Sequence, residues 1–233
     1  MSVLKDIFAM FQKRNLRFIE SYKESEQVHT FVFEKDHDLS WNAGQYGLIT
    51  ISHKKMKQAT KPFSIASAPA ENVVKLTTRI GENPSEFKKA LLELKEGMSV
   101  SMQGPLGSFY LQDRRPALLV AGGIGITPFR AMLKQLAAEG NGAGRTTRLL
   151  YIDSARSYLY REELDSIAES VPVAYVASGD DAKREIDRFA GQHADGMYYI
   201  AGPKSMVESI STVLLEKKIS KRNIKKDAFF GYS

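Results

Sequence analysis

The chain from Asn15 to about Gln112 alternates apolar and polar residues over short stretches. Val28–Phe33, Tyr46–Ile51 and Val73–Thr78 are rich in β-branched and aromatic residues and are bounded by turn residues, which is typical of strands. After Ser85 the apolar residues recur at helical spacing instead, at Phe87, Ala90, Leu91 and Leu94. Many short strands with one helix predict a small antiparallel β-barrel.

From Arg115 onward, strand and helix patterns alternate. Ala117–Ala121 is a continuous apolar run, suited to a strand that is buried on both faces. Further strand candidates are Leu149–Ile152, Val171–Val176 and Met197–Ala201, with helical stretches between them. This order predicts a doubly wound α/β domain with a parallel sheet. A charged stretch ending in Pro116 separates the two patterns, so the predicted domains are 15–114 and 115–233.

Residues 1–14 predict a short amphipathic helix. Charged Lys5 and Asp6 interrupt its apolar residues, which argues against a secretory signal peptide. Such a helix either packs on the protein's own surface or docks on a membrane or a partner, and both interpretations stay open. The sequence contains no apolar run of the roughly 20 residues that would span a bilayer.

A glycine-rich loop, Gly122–Pro128, stands between a predicted buried strand and a predicted helix. Glycines there allow a tight turn and a close approach of backbone N–H groups to a phosphate. The sequence predicts Thr127 as the N-cap and Pro128 as the first helical residue. The loop lacks the lysine of a P-loop, which disfavours phosphoryl transfer. It is either a dinucleotide-binding loop or an ordinary tight connection.

Four other segments are candidate sites, although each alone has a purely structural interpretation. Serines and a lysine flank an apolar strand in Lys61–Ser67, and Arg79–Ser85 leads into a helix with Ser85 as the predicted N-cap. Gly104–Phe109 closes the first domain, and Ala201–Gly202–Pro203 follows a predicted strand and precedes a helix.

Composition narrows the classes of function. The net charge is +6, but the basic residues are spread along the chain apart from a cluster at 217–226, so we expect no nucleic-acid partner. With no cysteine, the sequence excludes disulfides and cysteine-ligated clusters, and we expect no metal. The four histidines are scattered, and none is assigned as a general acid.

Taken in their order along the chain, the glycine loop and these four segments resemble the motifs of the ferredoxin–NADP⁺ reductase superfamily. The resemblance covers nearly all of the chain from about Asn15. The resemblance implies an antiparallel β-barrel that binds FAD, followed by a doubly wound, Rossmann-like domain that binds NAD(P). It also implies that the two ring systems meet between the domains.

The flavin residues follow by resemblance. Lys61–Pro62–Phe63–Ser64 is similar to the family's Arg-x-Tyr-Ser motif, with lysine and phenylalanine as departures. The cation would face the FAD phosphates, the aromatic ring would pack on the flavin, and the catalytic Ser64 hydroxyl would approach flavin N5. Arg79, Gly81 and Ser85 belong to the segment that holds the FAD pyrophosphate.

The nucleotide residues also follow by resemblance. Gly122, Gly123, Gly125, Thr127 and Pro128 match the pyrophosphate loop. Ala201–Gly202–Pro203 is similar to the family's Cys-Gly-Pro, with alanine in place of the cysteine near the nicotinamide.

Nucleotide choice depends on the segment after the third strand of the second domain. The family's NADPH-selective Ser-Arg pair corresponds to Ser178–Gly179 followed by two aspartates, which favours NADH because carboxylates repel a phosphate. Arg156 or Arg184 could substitute for the missing arginine.

The C-terminal residues allow two interpretations. Tyr232, with Asp227 and Phe229, resembles a terminal segment that covers the flavin. The alternative is that the terminal aromatic residues form a final edge strand.

The resemblance implies hydride transfer from NAD(P)H to FAD and onward transfer of electrons to a separate acceptor: ferredoxin, flavodoxin, a haem protein, a ferric chelate or free flavin. The alternative is a non-enzymatic flavoprotein that relays electrons within a larger complex. Lys61, Phe63 and Ala201 favour the relay, and the intact glycine loop favours the reductase. We expect a cytoplasmic monomer.

Overall fold

The computed structural model describes residues 13–140 and 145–229. The chain divides into two compact units, Met1–Tyr110 and Leu111–Ser233. The sequence predicts the boundary slightly later, and the domain limits 15–114 and 115–233 stay predictions. Within the described ranges, none of the helices has both the length and the apolar character needed to cross a membrane.

Six strands form one antiparallel sheet in the first unit, in the order β4-β3-β6-β1-β2-β5. The unit also contains helix α1 (Glu86–Leu92) and a short 3-10 turn at Pro69–Glu71. The strands are β1 (Lys13–Ser25), β2 (Val28–Glu34), β3 (Tyr46–Thr50), β4 (Thr60–Ser64), β5 (Val73–Arg79) and β6 (Ser99–Leu106).

The two edges of this sheet approach each other beyond the end of β4. The backbone N–H of Ala66 donates to the carbonyl of Lys75 on β5 at 2.8 Å. Every strand contributes an apolar side chain to one core, through Leu16, Phe31, Ile49, Phe63, Leu76 and Met102. The predicted antiparallel FAD-domain architecture is therefore confirmed.

Strand β1 corrects the sequence interpretation near the N-terminus. Lys13 and Arg14 belong to β1 and pair with β6, so the predicted helix does not extend to residue 14. Its remaining positions, 1–12, lie outside the described residues. The backbone of residues 13–17 pairs with β6, and that of residues 18–25 pairs with β2. The helix was predicted from the spacing of apolar residues alone. The pairing of Lys13 and Arg14 with a distant strand outweighs that local preference, and the spacing does not reveal it.

The second unit contains a parallel five-stranded sheet in the order β11-β10-β7-β8-β9. The strands are β7 (Ala117–Gly122), β8 (Thr147–Ile152), β9 (Val173–Val176), β10 (Met197–Pro203) and β11 (Ile224–Phe229). The helices are α2 (Ile126–Ala138), α3 (Arg161–Asp165), α4 (Gly179–Gln192) and α5 (Lys204–Glu216), with 3-10 turns at Gly123–Gly125 and Lys221–Asn223. The predicted doubly wound α/β architecture is confirmed.

Strands β7 and β10 lie at the centre of this sheet. All of β7 is buried, as is β10 up to its last residue. From β7 the chain proceeds outward through β8 and β9, then returns to the other side of β7 as β10 and β11. The strand order therefore reverses between β7 and β10, and ligands of open α/β sheets bind at the carboxyl ends of strands at such a reversal.

Candidate functional site

Ser64 ends β4 and has a buried hydroxyl group. The residue is 8% exposed, and its Oγ has no hydrogen-bond partner among the described residues. Buried hydroxyl groups are normally hydrogen-bonded, so an unpartnered one needs an explanation. A ligand atom that exchanges a hydrogen bond with Ser64 would supply it, as the predicted contact with a flavin nitrogen requires.

The neighbouring residues of the predicted flavin motif face different surroundings. The Phe63 ring is buried and stacks on the ring of Phe87 in α1, with centroids 5.7 Å apart and planes at 26°. Most of the Phe63 surface is thus covered by the unit's own core. Lys61 is half-buried and donates a hydrogen bond to the side chain of Gln58. Pro62, between Lys61 and Phe63, is exposed. The flavin contacts of all three stay predictions.

The second predicted phosphate segment joins β5 to α1. Ser85 is the N-cap of α1, and its Oγ accepts from the backbone N–H of Lys88 at 3.4 Å. This capping was predicted and is confirmed. A Cβ atom built on Gly81 meets no described atom within 4 Å, so there is open space beside the loop.

Two cations border this loop, and sequence reasoning identified only Arg79. Lys88 is half-buried, and its pKa is lowered first by burial and then by the positive charge of Arg79. An anion near both cations would offset the repulsion between them. Lys88 also lies in the first turn of α1, where a lysine opposes the helix dipole. That unfavourable position is the sequence signal that could have identified it.

The glycine loop begins where buried β7 ends. A 3-10 turn at Gly123–Gly125 leads directly into α2, whose N-cap is Gly125. The prediction of Thr127 as N-cap and Pro128 as the first helical residue is therefore wrong: they are the second and third residues of α2. Residues Gly123–Gly125 already form a 3-10 turn, so α2 begins at Ile126, two residues before Pro128. Its N-cap, Gly125, has no side chain to accept a capping hydrogen bond. The N–H of Ile126, its first residue, donates to the Gly123 carbonyl within the 3-10 turn, and the positive end of the helix dipole favours an anion at this end of α2.

The three glycines of the loop have different surroundings. A Cβ on Gly125 would overlap the backbone of β10 and lie 2.7 Å from the Cα of Gly202. A Cβ on Gly122 would overlap the Met206 side chain. Gly123 differs, with φ of +52° and no described atom within 4 Å of its added Cβ. Gly122 and Gly125 thus allow tight packing, and Gly123 faces the space that a ligand could occupy.

The end of β10 lies beside this loop. Ala121 and Ala201 are register partners on β7 and β10, and the strand continues through Gly202 to Pro203, with α5 beginning at Lys204. Gly202 has φ of +151°, a conformation that side chains disfavour. The predicted nucleotide segments at Gly122–Gly125 and at 201–203 are therefore brought together at the reversal of the strand order.

Ser178 is the N-cap of α4. Its hydroxyl accepts from the backbone N–H of Asp181 at 3.1 Å and donates to the Asp181 carboxylate at 2.7 Å. Arg184 forms an ion pair with the same carboxylate. Asp180 and Arg156 are exposed. The charge of Asp181 is thus balanced within the helix, and Ser178 already has a structural role.

The C-terminal aromatic segment is described only in part. Asp227 and Phe229 belong to the edge strand β11, where Phe229 pairs with Pro203. The edge-strand interpretation therefore holds for Phe229. Phe230 and Tyr232 lie outside the described residues, so the predicted contact of Tyr232 with the flavin stays a prediction.

Comparison with protein families assigns both units. An oxidoreductase FAD-binding domain matches residues 15–110, and an oxidoreductase NAD-binding domain matches residues 119–212. Ferredoxin-NADP⁺ reductase from Plasmodium falciparum superposes with a TM-score of 0.76 at 18% identity, covering 93% of this chain and 96% of that one. The chain belongs to the ferredoxin–NADP⁺ reductase superfamily.

Several electron transfer proteins are similar to the chain in sequence. The toluate 1,2-dioxygenase electron transfer component of Pseudomonas putida is 32% identical over 73% of this chain and 54% of that protein. A probable dihydroorotate dehydrogenase B (NAD⁺) electron transfer subunit of Methanocaldococcus jannaschii is 32% identical over 59% of this chain and 50% of its own length. The chain spans roughly half the length of these relatives.

The residues present fit the two cofactors of the ferredoxin–NADP⁺ reductase superfamily, FAD and NAD(P)H. In the FAD-binding domain, the unpartnered Ser64 hydroxyl suits a flavin. The cations Arg79 and Lys88, on either side of the β5–α1 loop in sequence, suit a pyrophosphate. In the NAD(P)-binding domain, the open side of Gly123 at the start of α2 suits a second pyrophosphate.

Proposed function

We propose that the chain is a flavin-dependent NAD(P)H oxidoreductase that passes electrons to a separate acceptor. The observation that carries the proposal is the presence in one chain of both domains, each with a group ready for its ligand. These groups are the unpartnered Ser64 hydroxyl and the open Gly123 turn. Bound FAD would supply the chemistry, accepting a hydride from the nicotinamide and releasing electrons singly or in pairs.

The chain's own residues would bind and orient the cofactors. Ser64 would exchange a hydrogen bond with the flavin nitrogen that receives the hydride, and Arg79 and Lys88 would balance the charge of the FAD phosphates. The Gly123–Gly125 turn at the start of α2 would hold the nucleotide pyrophosphate through its backbone N–H groups. No side chain of the chain is assigned to proton transfer, because catalysis here depends on positioning.

We propose that the acceptor is a separate redox protein. The names of the similar proteins support this: one is an electron transfer component of a dioxygenase and another an electron transfer subunit. Steady-state turnover with NADH and ferricyanide, an artificial one-electron acceptor, tests the reductase function without knowledge of the partner. We expect nucleotide-dependent reduction of ferricyanide by the FAD-loaded chain.

The second candidate is an electron relay within a complex. The similarity to the dihydroorotate dehydrogenase B subunit favours it, as do the family departures at Lys61, Phe63 and Ala201. A relay has no need of its own nucleotide site, so it predicts no ferricyanide reduction by NADH or NADPH. Turnover with either nucleotide would exclude the relay.

We propose NADH as the preferred nucleotide. Because Arg184 is already paired with Asp181, it is poorly placed to act as a substitute phosphate ligand. Asp180 adds an exposed carboxylate at the same helix start, which would repel the 2′-phosphate of NADPH. Arg156 stays the alternative cation, and a higher kcat/KM with NADPH would point to it.

We further propose that the protein is a cytoplasmic monomer. The large exposed apolar residues of the described chain are few: Leu92 lies on α1, Leu215 on α5, and Ile19 and Tyr22 on β1. They form no large apolar patch on any one element, which supports a monomer. The cytoplasm is where the proposed donor, NADH, is produced. Sedimentation of the FAD-loaded protein tests the first proposal, and cell fractionation tests the second.

A further inference from the structure

Tyr151 connects the glycine loop to the segment that follows β8. It lies on β8 opposite Ala121 of β7 and is fully buried. Its hydroxyl donates to the Gly123 carbonyl at 3.1 Å and accepts from the backbone N–H of Leu159 at 3.1 Å. Burial raises the Tyr151 pKa, so the hydroxyl keeps its proton and can donate.

The Tyr151 hydroxyl is hydrogen-bonded to Gly123, the loop residue that faces open space. Gly123 has left-handed φ, which is one of several conformations that glycine adopts at little cost, so its own backbone preference does not hold the turn in place. Gly122 and Gly125 are fixed by close packing against Met206 and β10. Gly123 lacks such packing among the described residues. Its carbonyl accepts from the Ile126 N–H within the 3-10 turn and from the Tyr151 hydroxyl, and the second bond is the one that ties the turn to β8.

The other end of the connection is also anchored. Leu159 and Tyr160 are buried, and Arg130 of α2 lies over the Tyr160 ring at 5.1 Å while forming an ion pair with Glu163 at 2.9 Å. The segment that supplies the Leu159 N–H is therefore fastened to α2, the helix that begins at the glycine loop. The Tyr151 hydroxyl thus connects the anchored segment at Leu159 to the Gly123 turn, which has few other contacts in the described chain.

We propose that Tyr151 is a positioning residue for the nicotinamide nucleotide, which presets the Gly123 turn for binding of the pyrophosphate. The proposal rests on the proposed function, because it requires a nucleotide at this loop. A preset turn has less conformational freedom to lose when the nucleotide binds, so affinity is higher. Tyr151 contacts no reacting atom in this proposal and acts only through Gly123.

Tyr151→Phe tests the proposal by removing the hydroxyl alone. We expect the Kd for NAD⁺ and the KM for NADH to rise about three- to tenfold, the worth of one hydrogen bond. The kcat and the affinity for FAD should stay unchanged. Calorimetric titration with NAD⁺ and steady-state kinetics with ferricyanide measure these quantities.

Tyr198→Phe is the matched control. Tyr198 is equally buried on β10, and its hydroxyl has no hydrogen-bond partner among the described residues. Its removal should leave the Kd and KM at wild-type values. An equal rise in both variants would overturn the proposal, as would a Tyr151→Phe variant that loses thermal stability while its Kd and KM stay unchanged.

A measurement on the wild-type protein covers the case in which Tyr151→Phe does not fold. Saturation with NAD⁺ should slow hydrogen exchange at the Leu159 amide, because nucleotide and Tyr151 would stabilise the same turn. Unchanged exchange there, in a protein that binds NAD⁺, would overturn the proposal and leave the proposed function intact. A wild-type protein that binds no NAD⁺ would overturn both.

Discussion

Replacing Ser64 with alanine should have opposite effects on the free and the FAD-loaded protein. The Ser64 hydroxyl is buried without a described partner, and such a group costs about 1–3 kcal/mol. Alanine removes the hydroxyl and leaves a small void, so we expect the FAD-free protein to gain about 1 kcal/mol. The loaded protein loses a hydrogen bond to the flavin, so the FAD Kd should rise about two- to tenfold, and flavin reduction should slow.

Ser67→Ala is the control with the opposite sign. Ser67 is also buried, but its hydroxyl donates to the Val73 carbonyl at 2.7 Å and accepts from the Lys75 N–H at 3.0 Å. Its loss should destabilise the FAD-free protein by about 1–3 kcal/mol. Trp41, the chain's single tryptophan, lies in the same unit, so its fluorescence during urea unfolding reports on this unit. If Ser64→Ala destabilised the FAD-free protein as much as Ser67→Ala, the reasoning would be refuted.

Three further variants, two of them with a matched control variant, test other parts of the site. Gly125→Ala should destabilise the protein by about 1–3 kcal/mol because its Cβ meets β10 backbone, whereas Gly179→Ala, with open space around it, should be neutral or stabilising in urea unfolding. Lys88→Gln should weaken FAD binding in a fluorescence titration, and Lys89→Gln, exposed on the same helix, should not. Asp180→Asn should raise kcat/KM for NADPH relative to NADH by about threefold, as loss of one exposed repulsion implies, and an unchanged ratio would exclude Asp180 as a specificity residue.

Much of the fold could be predicted because its patterns are local. Strand β7 is a continuous apolar run and is fully buried, and Ser85 precedes a helix that it caps. Strand β1 was missed because its residues 19–23 are all exposed, which removes the alternation that identifies a half-buried strand.

The remaining site residues depend on contacts between distant parts of the chain. Tyr151 meets Gly123 across 28 positions, which periodicity cannot detect. Arg79 influences Lys88 through space, and only the position of Lys88 in a first helical turn gave a local signal. The start of α2 was misplaced because Gly125 supplies the N-cap position without a capping side chain.

Mixing the FAD-loaded protein with NADH in the absence of oxygen tests the central claim most directly. The account predicts rapid bleaching of the bound flavin, complete at an equimolar amount of NADH, and slower bleaching when the transferred hydrogen is deuterium. Flavin that stays oxidised in the presence of excess NADH and NADPH would contradict the proposed oxidoreductase function.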